Sequence, residues 1–344
     1  MEYGAIDLHT KRSQIRIVTA DGQVVLERKI DTTRADLTRV CGERAAMRIL
    51  LESSTESEWV ACHLEGLGHE VIVADPNYAA MYGSRSRKVK TDIRDVTALA
   101  EACRTGVFRR AHRVSAAAQE LRQTMRVRAH LVQLRSRTIG LLRAVLRREG
   151  LRLPSGSAEG LLTRLDRLAI PAPVTTVIAP LRQLLGEVNA LLVARNQEVE
   201  ARAAADATTQ RLMTAPGVGP VVALTYQAVV DDPARFGGDA ARASAFFGLV
   251  PSEDSSAERQ HKGHITKTGP RDLRALLVQA SWVIWRSRSA DSAALRAWAH
   301  ALAARRGRRI AIIGLARRLS RILYAMWRDQ KEFVVRQRAG AVGA

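Results

Sequence analysis

The sequence of 344 residues contains only three cysteines, Cys41, Cys62 and Cys103, which are too far apart to form a paired set of metal ligands. A small, odd number of thiols argues against a disulfide framework or a zinc finger, and it favours a reducing compartment. Residues 1–4 show no signal-peptide pattern, and no uncharged apolar run approaches the length of a membrane span. We therefore expect a cytoplasmic protein with no membrane partner.

Aromatic residues are also scarce, at 4% of the chain, and acidic residues are outnumbered. The chain has 34 Asp and Glu against 54 Lys and Arg, a net charge of +20. This charge is uneven, because residues 1–75 hold 13 acidic and 9 basic side chains, which leaves +24 for the remainder. So much positive charge usually contacts a polyanion, most often nucleic acid. The length and an apolar content of 47% predict two or three domains with buried cores.

The first hundred residues alternate between strand-like and helix-like patterns. Strand-like segments lie at 2–8, 14–20, 24–30, 48–51 and 70–74, and helix-like segments at 32–44, 55–67 and 92–104. Asp21-Gly22 is a two-residue hairpin signal. The order of a three-stranded antiparallel part followed by parallel crossover units is typical of the RNase H-like fold, which RuvC-type resolvases share.

Two long helical patterns follow, over 116–150 and 175–205, joined by the Gly-, Pro- and Ser-rich stretch 150–173. Apolar residues recur at intervals of seven in both, which predicts an antiparallel or intermolecular coiled coil, with simple bundle packing as an equal alternative. Both readings place these helices in a segment of their own between two domains.

The last third of the chain is predicted to be mostly helical. Pro216–Pro220 forms a turn that resembles a helix-hairpin-helix connection, and a polar, Ser-rich loop runs from Pro251 to about Gly269. Pro270 is expected in the first turn of a helix with the apolar face Leu273, Leu276, Leu277, Ala280, Val283 and Ile284. A final helix spans Ile310 to Arg328. We predict domains at 1–115, 116–205 and 206–335, and a loose tail at 336–344.

Four carboxylates carry the predicted chemistry. Asp7 and Glu52 end two strands expected to be neighbours, and Asp92 and Asp95 share one helical face because they are three residues apart. Taken singly, each has a simpler role at a turn or a helix start; together they are expected to converge. Converging acids need a counter-charge, which Mg²⁺ supplies, with Mn²⁺ as the alternative ion. Two such ions can activate a nucleophile and stabilise the leaving oxygen of a phosphodiester.

Several short motifs resemble those of the DEDD-type insertion-sequence transposases, a family that includes the Piv-type DNA invertases. The motifs are Ala5-Ile6-Asp7-Leu8-His9, Leu51-Glu52-Ser53-Ser54-Thr55, Val73-Ala74-Asp75-Pro76-Asn77, Lys90-Thr91-Asp92-Ile93-Arg94-Asp95, Ala215-Pro216-Gly217-Val218-Gly219-Pro220, Gly248-Leu249-Val250-Pro251 and Gly263-His264-Ile265-Thr266-Lys267-Thr268-Gly269. They extend over nearly the whole chain.

The resemblance implies a RuvC-like N-terminal domain, a coiled-coil linker and a C-terminal serine transposase domain. It places the nucleophile at Ser256, with the neighbouring Ser255 as the alternative, although Ala257 stands where the family usually has glycine. It implies that the metal site of one domain activates this serine, in the same subunit or another, and that the protein is a dimer or tetramer. It also implies a structured guide RNA in some members.

Nucleic-acid contacts are expected from four basic side chains before Asp92 and from the C-terminal region. They are Arg85, Arg87, Lys88 and Lys90, the turn glycines Gly217 and Gly219, and Lys262, Lys267 and Arg271. Glycine allows backbone N–H groups to approach a phosphate closely. The tryptophans Trp282, Trp285, Trp298 and Trp327 are interpreted as core or interface anchors rather than base-stacking platforms.

These features together predict a metal-assisted transposase or recombinase that cuts and rejoins DNA at element ends and target. Two alternatives remain. A RuvC-like junction-resolving endonuclease would use water as its nucleophile, and a basic DNA- or RNA-binding protein would have no catalytic activity.

Overall fold

The computed structural model describes residues 1–83, 91–256 and 259–334, with the backbone alone for 254–256 and 259–262. The chain divides into two compact units, Met1–Arg113 and Val114–Ala344. The first unit is a mixed α/β sheet structure and the second is mostly helical. This broad architecture was predicted from the sequence and is confirmed.

The first unit contains a five-stranded sheet in the order β3-β2-β1-β4-β5. Its strands are β1 (Tyr3–Asp7), β2 (Arg12–Val18), β3 (Val24–Asp31), β4 (Arg48–Glu52) and β5 (Glu70–Ala74). Strands β1, β2 and β3 are antiparallel, whereas β4 and β5 run parallel to β1. The Asp21-Gly22 hairpin is confirmed: Gly22 adopts φ +83° and its N–H donates to the Thr19 carbonyl over 3.0 Å.

Three helices cover the sheet: α1 (Arg34–Cys41), α2 (Ser57–Gly66) and α3 (Asp92–Thr105). Because side chains alternate across a strand, Ile6 and Leu51 pack in the core with α1 and α2, while Ala5 and Leu50 pack in the core with α3. The sheet is therefore buried on both sides.

The first unit ends in an ion-pair clamp made by its last residue, Arg113. The guanidinium donates to Glu58 over 2.9 Å and to Glu65 over 3.1 Å, and both acids belong to α2. These hydrogen bonds raise the pKa of Arg113, so it stays charged at any ordinary pH. The clamp ties the end of the unit back onto its own helical layer.

The second unit begins with two long helices, α4 (Ala116–Arg148) and α6 (Ala172–Ala205), separated by the short α5 (Leu161–Leu165). They pack antiparallel within one chain, since Arg202 pairs with Glu120 near one end and Ile178 packs with Leu142 near the other. The predicted heptad positions of α6 are buried at Ile178, Leu185, Leu192 and Val199.

Polar residues interrupt the seam on α4. Arg128 donates to the Asn196 side chain over 2.8 Å, and Arg135 pairs with Glu159 over 2.8 Å. Within the described residues, α6 is one helix that is long and apolar enough to cross a membrane by length and composition. One such helix is weak support for a membrane span, and its apolar seam is already packed on α4.

The remaining elements build a helical core that carries one β-hairpin. They are α7 (Ala207–Met213), α8 (Pro220–Val230), α9 (Ala240–Phe246), β6 (Pro251–Ser256), β7 (Arg259–Ile265), α10 (Arg271–Arg286), α11 (Ala293–Arg306) and α12 (Arg308–Arg328). Tyr226, Phe247 and Tyr324 are fully buried at its centre. The Tyr226 hydroxyl donates to the Ser320 carbonyl over 2.9 Å, which satisfies a buried polar group.

Five details of the sequence interpretation differ from the structure. The predicted polar loop after Pro251 is the hairpin β6–β7, which lacks apolar alternation and so left no strand signal. Helix α11 was not predicted. Val283 is 53% exposed rather than buried with its neighbours on α10, and Pro270 precedes that helix. The last helix begins at Arg308 because Gly307 alone, at φ +83°, breaks it from α11.

Candidate metal centre and basic surfaces

Asp7 and Glu52 end two neighbouring parallel strands. The register pairs Ile6 with Leu51, so Asp7 and Glu52 follow at the same edge of the sheet. Two residues earlier, Ala5 and Leu50 pack in the core with α3, and period-two alternation places both acids on that face. The order of the strands therefore directs the two carboxylates to the side covered by α3.

Helix α3 supplies the other two acids from its first turn. Thr91 caps the helix, and its hydroxyl accepts the Arg94 N–H over 3.3 Å. Asp95 is only 6% exposed, whereas 48% of the Asp92 side chain is exposed. Of these two acids, Asp95 lies inside the unit and Asp92 lies at its rim.

The structure brings Asp7 and Asp92 together with a third side chain, His9. Potential ligand atoms of these three residues all lie within 4.8 Å of one another. His9 Nε2 is 3.6 Å from Asp7 Oδ2 and 3.8 Å from Asp92 Oδ1. The main chain of His9 is held in turn, because its carbonyl accepts the Thr32 hydroxyl over 2.7 Å.

His9 and Lys29 were both missed as site residues in the sequence interpretation. For His9 a signal existed, since a residue two positions beyond Asp7 in an extended segment points the same way. Lys29 gave no such signal: it lies on β3, and its Nζ is 3.3 Å from Asp92 Oδ2 across 63 residues of chain. Lys29 therefore supplies a local counter-charge for Asp92.

The donor set fits a divalent cation. Metal–ligand bonds of about 2.0–2.6 Å place ligands of one ion up to roughly 5 Å apart, which matches the spread of Asp7, His9 and Asp92. Only 13% of the Asp7 side chain is exposed, so its charge is partly removed from water. Glu52 lies at the end of the adjacent strand and Asp95 one helical turn from Asp92, but neither belongs to this group of three among the described residues.

The predicted nucleophiles lie in the second unit, at the end of strand β6. Ser256 pairs with Arg259 and Ser255 pairs with Gln260 in the β6–β7 hairpin.

Packing requires a glycine at one position of the predicted turn, Gly217, but not at the other, Gly219. Gly217 has φ +75°, and a Cβ there would lie 2.7 Å from the Ala280 carbonyl oxygen of α10. Its small size is thus explained by packing of the turn on α10. A Cβ on Gly219 would meet open space, and this residue precedes α8 in an extended conformation.

The predicted basic contacts are distributed over several segments. Lys267 and Arg271 are exposed on either side of Pro270, and Lys262 pairs with Glu253 along the hairpin backbone. The other four, Arg85, Arg87, Lys88 and Lys90, lie outside the described residues.

Three of the four tryptophans predicted as anchors pack in or against the helical core, and Trp282 does not. Trp327 is buried in the helical core, and Trp285 and Trp298 pack against that core. Trp285 stacks on His300 with ring centroids 3.9 Å apart, while Arg286 and Arg308 lie over the ring of Trp282.

Two family models match separate parts of the chain. A DEDD transposase model of the IS110 type matches residues 5–149, and a model described as Transposase IS116/IS110/IS902 family matches residues 209–296. The second description replaces the expected label of a serine transposase domain, which is wrong as a name for this region.

Similar proteins extend over almost the full length of the chain. A probable family 20 transposase of Pseudomonas aeruginosa is 26% identical over 93% of this chain and 95% of its own length. The transposase for insertion sequence element IS1328 of Yersinia enterocolitica is 25% identical, with the same two coverages. The transposase for insertion sequence element IS1111A of Coxiella burnetii is 24% identical over 91% of this chain and 85% of its own length.

Proposed function

This chain belongs to the IS110-type DEDD transposases, and we propose that it moves an insertion sequence by metal-assisted cutting and rejoining of DNA. The observation that supports this most strongly is the convergence of Asp7 and Asp92, 85 residues apart in sequence, with His9 at one edge of the sheet. Two separate sequence motifs thus contribute to one cluster of possible metal ligands.

We propose that the first unit is an RNase H-like, RuvC-like domain. The sheet order, three antiparallel strands followed by two parallel ones, supports this assignment, as does the position of Asp7 and Glu52 at the ends of β1 and β4. The division into a metal-binding domain at 1–115, a coiled-coil linker at 116–205 and a transposase domain at 206–335 is proposed with it.

The metal centre is proposed to hold Mg²⁺, with Mn²⁺ as the alternative, through Asp7, Asp92 and His9, and through Glu52 and Asp95 beside them. When bound, the ion would polarise a phosphodiester and stabilise developing negative charge on its oxygens. Asp7 is fixed by the sheet and Asp92 by the capped start of α3, so the chain holds the donors in place before an ion arrives. Lys29 balances the charge of Asp92 until then.

The resemblance stated above assigns the nucleophile to Ser256, and this stays a prediction. Attack by the serine oxygen on phosphorus would form a phosphoserine ester, while the deoxyribose oxygen leaves with a proton. A junction resolvase would instead use water and form no such ester. A serine-linked route thus predicts a covalent protein–DNA adduct, which the water route excludes.

The proposed partners are the DNA of the element ends and target, further copies of this chain, and a structured guide RNA encoded by the element. The charge of +20 supports nucleic acid as partner, because phosphates attract such a surface at long range. We propose that the protein acts in the cytoplasm as a dimer or tetramer.

A plasmid excision assay with purified protein tests the proposal. Asp7→Asn and Ser256→Ala are expected to abolish excision, while Glu101→Gln, which removes an acid from the other end of α3, is expected to retain it. Ser255→Ala distinguishes the two serines, because this variant should retain excision if Ser256 is the nucleophile and lose it if Ser255 is. Excision by Asp7→Asn at the wild-type rate would refute the metal role. Tight DNA binding without any Mg²⁺-dependent strand breakage by the wild type would favour the non-enzymatic alternative.

A further inference from the structure

A cleft of about 650 Å³ lies within the second unit, between α4, α8 and the first two turns of α10. This volume is in the range of pockets that take a small organic ligand. One wall is apolar and is formed by Met125, Val132, Val221, Val229 and Leu276. The cleft therefore offers a hydrophobic recess on a chain that is otherwise strongly basic.

Four arginines also line the cleft. Arg122 and Arg128 are half-buried and tied to the protein, Arg122 to the Ala228 carbonyl over 2.7 Å and Arg128 to Asn196. Arg126 and Arg271 also line the cleft, and both are exposed. Among the described lining residues, Asp272 is the single acid. The balance of charge favours an anionic ligand.

The start of helix α10 adds an anion-binding element. This helix has 16 residues, begins at Arg271 after Pro270, and has no side-chain cap. The N–H groups of its first turn have no acceptor within the helix, and the helix dipole places partial positive charge at this end. Gly269 and Pro270, which lead into the helix, line the cleft as well. Phosphate is a common ligand of such a helix start.

We propose that this cleft holds one unpaired nucleotide of a single-stranded nucleic acid, with its phosphate at Arg126, Arg271 and the start of α10 and its base against the apolar wall. The inference rests on the proposed function and goes beyond it. A paired base cannot enter such a recess, because it is enclosed in the stack of a duplex. The cleft also lies close in the chain to the predicted nucleophiles, because only five residues separate α10 from the hairpin that carries Ser255 and Ser256. A nucleic-acid strand bound in the cleft would therefore be near that hairpin.

The test uses the full-length protein in EDTA, which prevents metal-dependent cleavage, and a single-stranded DNA of about ten nucleotides with one central 2-aminopurine. We expect the fluorescence of 2-aminopurine to rise on binding, because its base leaves the stack. Arg126→Ala and Arg271→Ala should each weaken binding about tenfold and reduce the dependence of log K on log salt by about one.

The matched control is Arg137→Ala. Arg137 is exposed on the same face of α4, about three helical turns further along, and does not line the cleft. Its loss should weaken binding by about twofold or less, the general effect of one distant charge. Equal losses in Arg126→Ala and Arg137→Ala would show non-specific attraction and overturn the proposal.

Ala275→Trp provides a second test that leaves the core intact, because Ala275 is exposed and lines the cleft. The indole should fill the recess and remove the fluorescence increase. An unchanged increase in this variant would overturn the proposal, as would equal affinity for duplex DNA. The affinity for an RNA strand of the same sequence should be compared with that for the DNA strand. The strand that binds more tightly is the one whose nucleotide occupies the cleft. Because no metal is present, failure here leaves the excision result standing.

Discussion

Lys29 on β3 lies against Asp92 at the start of α3, with 3.3 Å between Nζ and Oδ2. An incoming metal ion and Lys29 therefore compete for the same carboxylate. Both side chains are about half exposed, so the pair adds little to stability, at most about 1 kcal/mol. The main effect of this ion pair should be on the net charge of the candidate metal centre.

Replacing Lys29 should consequently tighten metal binding. We expect Lys29→Gln to lower the dissociation constant for Mn²⁺ by about two- to tenfold, because the competing cation is gone. Isothermal titration calorimetry measures this directly, with Lys11→Gln as a control that removes an exposed lysine elsewhere in the unit. Weaker Mn²⁺ binding by Lys29→Gln would mean that Lys29 organises the site rather than competing for it.

Metal binding should also stabilise the fold, because an ion that binds the folded state alone shifts the unfolding equilibrium. At saturating Mg²⁺ we expect the Tm of the wild type to rise by roughly 5 °C. Asp7→Asn and Asp95→Asn should lose this shift, and Glu101→Gln should keep it. Differential scanning fluorimetry with and without EDTA provides the measurement; a full shift in Asp7→Asn would remove Asp7 from the ligands.

Two glycines in one turn should respond differently to alanine. Gly217→Ala should lower the free energy of unfolding by about 2–4 kcal/mol, because of its positive φ and the contact of a new Cβ with the Ala280 carbonyl. Gly219→Ala should cost about 1 kcal/mol or less, since its Cβ would meet open space. Urea denaturation compares the two. Equal costs would contradict the packing of the turn on α10.

The three thiols should differ in reactivity. Burial raises the pKa of Cys41 to about 11 and that of Cys103 to about 12, whereas Cys62 is exposed. Iodoacetamide at pH 8 should therefore modify Cys62 in the native protein and all three residues after denaturation, as mass spectrometry of peptides would show. Rapid native modification of Cys41 would indicate that this part of the unit opens.

The same pKa shift predicts a dependence of stability on pH. A thiol whose pKa is raised on folding stabilises the protein fully below its ordinary pKa of 9.0, and that contribution is lost as pH rises through the folded value. The free energy of unfolding should thus decline between pH 9.0 and about 11. Cys41→Ser should make this decline shallower, and an unchanged slope would assign the effect to other groups.

The sheet could be predicted from the sequence because local patterns defined it. Buried runs such as those around Ile6 and Leu50, the Asp21-Gly22 turn and the cap before Asp92 each act over a few residues. Asp7 and Glu52 could be proposed together because the ends of neighbouring parallel strands meet at one edge of a sheet, and Asp92 and Asp95 because they share one face of a helix expected to pack across the first strand. The spacing of His9 from Asp7 also indicated that its side chain lies beside the site, although it was not among the predicted site residues.

Other features could not be found in this way. The approach of Lys29 to Asp92 depends on the pairing of β3 with β2 and on the placement of α3, which no local pattern specifies. The β6–β7 hairpin is held by main-chain pairing between strands whose sequence is mostly polar, so hydrophobic periodicity gave no strand signal there. The cleft likewise exists only once α4, α8 and α10 are assembled.

The clamp formed by Arg113 also bears on where two relatives could exchange segments of their chains. Its partners Glu58 and Glu65 lie within the same unit, so the last residue of the carboxylate-bearing half is fastened to that half. A genetic exchange between relatives just after residue 113 would transfer all four acids, His9 and Lys29 without separating this guanidinium from its acids. An exchange at this boundary would therefore leave the ion pairs of Arg113 intact.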